Sequence, residues 1–403
     1  MGRAVAPVNA LLTPDRLLVY PVVVIAVFGV VWTASLHSGA VLLPDLLARW
    51  SGGRLLVDGR AEVLYDPGVQ SALQRVVVDA QRLSWFVSPP PVAVVFAPLG
   101  ALAYPMAGLV WTVGSAALLA WTAIRAARLH PALEMLGTRR GMLVAASCQP
   151  VLELVGAGQD TALVLAALVG GASLLVEGRE VLAGVVLAVG TVKPHLVLLV
   201  PVVLLLGRAW KALVALLAVT TAAVVATTAW LGIGVWYDWV AALTSPLYRT
   251  EVGEGQAWKN ASLRGLLDTL GPGAAGPWVS GVWMVLVLVV LVLTAGWLRG
   301  QGVPLWAHLV VTVPLVTALV APHVLVYDLV LVLPAATLLV ARGGPTARAG
   351  VAVGYVLLFL APLWHLVALR LPAVSVIGAP WVVLVVVGLW LSAVRPAGVL
   401  SRL

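Results

Sequence analysis

Charge is what this sequence has least of. Of its 403 residues only 10% are Asp, Glu, Lys or Arg, while 62% are hydrophobic, and the mean hydropathy is +1.07. Soluble domains carry about 25% charged residues. A water-soluble globule is excluded, because there is too little polar surface to cover so much apolar side chain. Cysteine is nearly absent too. Cys148 stands alone, which excludes an internal disulfide and any multi-cysteine metal site, and it reads as a small buried hydrophobe. The catalytic signatures that depend on fixed spacing are missing. There is no Walker loop, no GxGxxG between a strand and a helix, and no HExxH, HxxxH or CxxC. Nucleotide-driven chemistry loses support, and no metal is expected. No repeat of fixed period is visible either.

Long apolar runs fill the space that charge leaves. They lie at about 17–36, 91–124, 141–157, 161–176, 181–206, 212–232, 275–297, 304–321, 325–341, 350–369 and 374–394. Each uninterrupted run approaches the roughly 20 residues that span a bilayer as a helix. The chain is expected to be all-α, a single polytopic membrane domain over 1–403 with about 11–13 transmembrane helices. The run after Arg16 is long and no clean small-residue cleavage site follows it, so it reads as a retained first helix rather than a signal peptide.

Charge orients these helices. One set of connections holds fourteen Lys or Arg, from Arg3 and Arg16 through Arg139, Arg140 and Lys211 to Arg402, against Asp15, Glu134, Glu177 and Glu180. The remaining charges sum to −2, and the net charge is +8. Basic loops favour the cytoplasm. That set, with the N-terminus, is therefore expected to be cytoplasmic, and the +8 is a topology signal rather than a nucleic-acid one. Two long connections, 37–90 and 233–273, then face the extracytoplasmic side. Crossing parity requires 91–124 to span once. With its internal prolines it reads as a short half-helix followed by a full helix. "VLAGVVLAVGTVKPHLVLLVPVVLLLG" reads as a hairpin broken at Lys193 and Pro194, with Lys193 at the extracytoplasmic tip.

Ionisable residues are expensive in lipid and mark function or pairing. Here they collect on the extracytoplasmic side: Asp45, Gln159 with Asp160, Lys193, Lys259 with Asn260 and Arg264, and His323 with Tyr327 and Asp328. In "PDLLARWSGGRLL", Pro44 is placed to start a short amphipathic helix lying in the interface. Asp45 in its first turn either serves the helix dipole or faces a substrate. His323 and Asp328 likewise read either as a cap and a local pair or as site residues.

In order along the chain these segments resemble glycosyltransferase family 87, in the GT-C class of membrane glycosyltransferases. The resemblance runs from about residue 40 to 340. It rests on "DLLARW" with "LYDP", on "SPPPVAVVFAPLGAL", on "GQDT", "GTVKPHL" and "KNASLRG", and on "APHVLVYD". Trp50, Ser88, Asp160 and Ala261 stand where the family motifs carry tyrosine, tyrosine, asparagine and glutamine, and Pro194 directly follows the lysine. The resemblance implies a GT-C fold in the plasma membrane with an extracytoplasmic active site. It implies inverting transfer of a sugar, mannose in the best-known members, from a polyprenyl-monophosphate donor to a glycan or glycolipid acceptor, without a cofactor. Asp45 would be the catalytic base. Lys193, His323, Lys259 and Arg264 would serve the donor phosphate, and Gln159, Asn260, Tyr327 and Asp160 would bind substrate. Expected partners are the bilayer, the donor and the acceptor, with no nucleic acid and a monomeric chain. A pentosyl transferase such as an arabinofuranosyl transferase, a flippase for lipid-linked sugars and a silent membrane scaffold remain the alternatives. A flippase would be expected to carry polar groups at mid-membrane depth on both sides.

Overall fold

The computed structural model describes residues 18–37, 43–78, 83–270, 277–299, 301–371, 378–396 and 398–403. Arg3, Asp15 and Arg16 lie outside the described residues, as do parts of both long connections. The described chain is helical throughout, and its one β-type pairing is an isolated bridge between Asn260 and Leu325.

The helices are α1 (Val19–His37), α2 (Pro44–Val57), α3 (Pro67–Val77), α4 (Pro90–Gly100), α5 (Tyr104–Ala127), α6 (Arg139–Ala146), α7 (Gln149–Ala157), α8 (Thr161–Val176), α9 (Glu180–Val189), α10 (Val200–Leu206), α11 (Trp210–Leu231), α12 (Gly234–Thr244), α13 (Leu263–Leu270), α14 (Pro277–Leu298), α15 (Val313–Val320), α16 (Leu333–Arg342), α17 (Pro345–Arg370) and α18 (Val382–Val394). Four of them, α5, α11, α14 and α17, are long and apolar enough to cross a membrane, and seven shorter apolar helices accompany them. Their outward surfaces stay apolar. On α14, Val285, Leu288 and Val292 are all exposed, as a helix bathed in lipid requires. The chain is an all-α polytopic membrane protein.

Residues 91–124 form the short helix and long helix expected of them, α4 and α5, broken after Gly100. The 181–206 run breaks into α9, a 3₁₀ turn at Gly190–Val192, a short turn of helix at Pro194–Val197 and α10. Lys193 sits at the break with φ −126° and ψ 79°, outside the helical range. Pro194 cannot donate to a continuing helix, so the chain turns there.

The helix at Pro44 exists, and it is buried on more than one face. Leu46, Leu47, Ala48, Trp50, Ser51, Gly52, Gly53, Leu55 and Leu56 are all buried. The glycines explain why. A Cβ on Gly53 would stand 2.4 Å from the Phe96 carbonyl oxygen, and one on Gly100 would stand 2.3 Å from the Arg54 nitrogen. Backbone meets backbone where α2 crosses α4, the close approach that small residues permit inside membranes. Trp50 Nε1 donates to the Leu102 carbonyl at 3.0 Å and packs edge-on against Tyr104, whose hydroxyl donates to the Leu43 carbonyl at 3.1 Å. Asp45 is thereby carried on a fixed element rather than a floating one.

The two long connections are mostly structured. Residues 83–89 form no helix and no strand, and side chains hold much of their polar backbone. Gln74 holds both the N–H and the C=O of Ser84, and Gln70 does the same for Phe86. Trp239 Nε1 donates to the Val87 carbonyl and the Tyr65 hydroxyl to that of Ser88. Gln70 and Gln74 are one turn apart on α3, so one helix face acts as a surrogate strand. In the second connection α12 carries Trp239 onto the first.

Candidate active site

Three chain breaks meet beside α2: the Gly158–Asp160 turn, the Lys193 break and the segment around His323. Gly158 closes α7 with φ 70°, and a Cβ there would lie 2.7 Å from the Leu46 Cβ. Glycine is required both for the left-handed backbone and for the approach to α2. Trp111 Nε1 fixes the turn by donating to the Gly158 carbonyl at 2.9 Å.

Lys193 lies at the centre of what these breaks bring together. Its Nζ donates to Gln159 Oε1 at 2.7 Å, Thr161 Oγ1 at 2.8 Å and Asp328 Oδ1 at 2.9 Å. An ammonium has three donors, so all are engaged. Asp160 Oδ1 stands 3.4 Å away, and the Nζ lies 4.7 Å from the centre of the Tyr327 ring. Asp328 is shared: its other oxygen accepts from the Leu325 N–H at 3.1 Å and caps the 3₁₀ helix Val326–Val332. Thr161 Oγ1 donates to Asp328 Oδ1 at 2.6 Å. Asp160 also accepts from Arg49 Nε at 2.9 Å. Burial alone would raise the Asp160 pKa, but the charges of Arg49 and Lys193 outweigh it and bring it down to about 2. The result is a buried network of alternating charge that ties α2, the Gly158–Asp160 turn, the Lys193 break and the 326–332 helix to one another.

This network forms one wall of a cavity of about 280 Å³. Asp45 and Arg49, one helical turn apart on α2, line it together with Gln159, Lys193, His195, His323, Tyr327 and Asp328. Trp85, Trp239 and Tyr248 bring aromatic surface from both long connections, and Glu251 and Gln256 complete the polar lining. Asp45 is half-buried on this wall. The Gln159 side chain lies beside its carboxylate, and with the Gln159 oxygen held by Lys193 the amide nitrogen is the group available to it. Burial pushes the Asp45 carboxyl above the ordinary carboxylate range, and the Gln159 amide with the charges of Lys259, Arg49 and Lys193 pulls against that shift without cancelling it. A carboxylate with a raised pKa and a free face toward a cavity is suited to accept a proton. His195 Nε2 is buried without a hydrogen-bond partner among the described residues.

The remaining expected site residues sit elsewhere. Asn260 donates to the Pro322 carbonyl and accepts from the Val324 N–H, each at 3.2 Å, so its amide clamps the chain on either side of His323. Ser262 Oγ donates to the same Pro322 carbonyl at 3.1 Å. Lys259 is 3.8 Å from Glu153 and lies over the Trp258 ring, off the cavity wall. Arg264 is turned onto Asp268 and Ser280, both at 2.9 Å. Sequence reasoning missed Arg49, though its place four residues after Asp45 puts both on one helix face. Thr161 was missed too, and nothing in its sequence setting distinguishes it from other helix-starting threonines. Among the described residues no group of three or more His, Cys, Asp or Glu side chains is gathered as metal ligands would be.

Residues 86–322 match glycosyltransferase family 87. No curated protein and no solved structure matches the chain. The matched stretch holds Gln159, Asp160, Lys193 and Asn260, while Asp45, His323 and Tyr327 fall outside it and rest on geometry. Since that stretch covers more than half of an all-α membrane protein, the chain belongs to glycosyltransferase family 87 and is a membrane glycosyltransferase.

Proposed function

We propose that the chain transfers a sugar, mannose in the first instance, from a polyprenyl-monophosphate donor to a glycan or glycolipid acceptor at the extracytoplasmic face of the plasma membrane, with inversion. The observation that carries this reading is Asp45, half-buried on the cavity wall beside Gln159, with Arg49, His195 and His323 lining the same cavity. In an inverting step the acceptor oxygen forms its bond to the anomeric carbon while the bond from that carbon to the phosphate oxygen breaks. The acceptor proton passes to the Asp45 carboxylate, and the phosphodiester leaves as a phosphomonoester with one more negative charge. Groups placed before that charge develops lower the barrier most.

Arg49 has its Nε committed to Asp160, which leaves the rest of its planar guanidinium for a phosphate. His195 and His323 line the same cavity, and no side-chain hydrogen bond from the described residues occupies either ring. Lys193 has all three donors engaged, so its part in this reading is to hold Gln159, and through it Asp45, in position. Asn260 acts in the same indirect way on His323. The aromatic side chains from both long connections exclude water, which would otherwise compete as acceptor.

The test uses membranes that contain the protein and a labelled donor. Wild type is expected to move label from polyprenyl-phosphate mannose into a glycan or glycolipid product, and Asp45→Asn is expected to move at least about a hundredfold less. Label transferred only from polyprenyl-phosphate arabinofuranose would replace the hexose assignment with the pentose one. Equal transfer by both forms of the protein would remove Asp45 as base.

A further inference from the structure

A second cavity, of about 390 Å³, adjoins the first. Trp85, Val87 and Tyr248 line both, so the two are separated by a wall one side chain thick. Their linings differ. Arg49, Lys193, His195 and His323 line the first beside Asp45, Glu251 and Asp328. Among the described residues no basic side chain lines the second; Glu62, Asp66 and Asp238 face it, with Tyr65, Trp85 and Tyr248 as its aromatic surface. Asp66 spends one oxygen capping α3, while Glu62 and Asp238 enter no ion pair or hydrogen bond among the described residues. Trp85 Nε1 is likewise buried with no hydrogen-bond partner among them. The backbone on either side of Trp85 is held, Ser84 and Phe86 by two buried glutamines and Val87 and Ser88 by an indole and a phenol, while the Trp85 side chain between the cavities makes no hydrogen bond among the described residues.

We infer that this cavity is the acceptor site, and that it takes a neutral, polyhydroxylated saccharide whose reactive hydroxyl passes the Trp85 wall to reach Asp45. The inference rests on the glycosyltransferase reading of the adjoining cavity. Ionised carboxylates accept hydrogen bonds from hydroxyls, and such charge-assisted bonds are the strong ones. Aromatic faces cover the apolar side of a sugar ring. The volume falls within the ~300–1,000 Å³ of small-molecule sites. Three acidic groups disfavour a phosphate or carboxylate at this position, which discriminates by repulsion as well as attraction. The donor phosphate is thereby directed to one cavity and the uncharged acceptor to the other.

Photo-crosslinking in the native membrane tests this with whatever acceptor the membrane supplies. p-Benzoylphenylalanine is placed at Ala241, which lines the second cavity, and separately at Leu243, which lines the first. After irradiation the adducts are identified by mass spectrometry. The expected result is an adduct at Ala241 containing neutral sugar and an adduct at Leu243 containing the lipid-phosphate donor. Adding Glu62→Gln with Asp238→Asn should lower the Ala241 yield about tenfold, the worth of one hydrogen bond to a charged acceptor, and leave the Leu243 yield unchanged. A donor adduct at Leu243 with no sugar at Ala241, or with only acyl chains or phosphorylated groups there, overturns the acceptor site and leaves the glycosyltransferase assignment intact. An Ala241 yield indifferent to the double substitution overturns recognition by the carboxylates. Absence of sugar at both positions overturns this inference together with the assignment of the first cavity.

Discussion

Replacing Lys193 with methionine keeps a long flexible side chain and removes the ammonium. Asp328 is the residue left exposed to the consequence, because its side chain is 2% accessible and its other support is hydrogen bonding from Thr161 and the Leu325 N–H. Asp160 retains Arg49. Breaking a buried ion pair by removing one partner costs about 3–5 kcal/mol, because the surviving charge is stranded. Asp328→Asn in the same protein removes the stranded charge, so the double variant should recover about 1–3 kcal/mol of coupling. Cys148 supplies the assay. It is the sole cysteine and is 6% accessible, so a thiol-reactive fluorogenic dye reports unfolding in detergent through one defined position. Lys193→Arg should rank between wild type and Lys193→Met, since it restores charge without the three-way geometry of the ammonium. A loss below about 1 kcal/mol in Lys193→Met, or single losses that simply add in the double variant, would refute the reasoning and return Lys193 to service as a free phosphate ligand.

Other outcomes follow from the same structure. The acid limb of the kcat/KM profile should lie above the ordinary carboxylate range, because Asp45 must be ionised to accept a proton and burial raises its pKa; Arg49→Gln should move that limb to still higher pH, and an acid limb at the pKa of a free carboxylate would contradict the assignment. The same shift has a stability consequence. A carboxyl whose folded-state pKa is raised contributes less stability once pH passes its unfolded value, and the loss is complete above the folded value. Asp45→Asn should therefore be as stable as wild type or more so at neutral pH, and a markedly lower unfolding midpoint would count against the buried charge. Arg264→Gln should leave donor KM unchanged, since Arg264 is engaged by Asp268 and Ser280, whereas Arg49→Gln should raise it. Gly53→Val should prevent accumulation of folded protein, because its side chain would enter the Phe96 backbone; normal expression and dye reactivity would show that α2 and α4 can separate.

Much of the fold was legible because membranes enforce simple rules. Hydropathy and proline positions fixed α4 and α5 as a short helix and a long one, and put a break at Lys193. Charge asymmetry grouped Asp45, Asp160, Lys193 and His323, and the structure brings them together around one network and cavity. What the sequence could not disclose was the partner of each polar group. Lys193 read as a free cation because its carboxylates are 33 and 135 residues away in the chain. Asn260 read as a sugar ligand, while its amide is occupied by the backbone beside His323. The deep burial of the helix at Pro44 was hidden because composition alone does not show a glycine-mediated crossing, in which the missing side chains are the contact. The surrogate-strand role of Gln70 and Gln74 was equally hidden, since nothing in "PGVQSALQRVV" names the extended segment they hold.

The central claim is that the Asp45 carboxylate takes the acceptor proton at the wall of the 280 Å³ cavity. Its most direct test is single-turnover sugar transfer by Asp45→Asn in native membranes, measured beside donor capture at Leu243 in the same variant. The account predicts intact capture of the lipid-phosphate donor and transfer lowered by at least about a hundredfold, the lower bound for removing a general base. Transfer at the wild-type rate with the donor still captured would contradict it.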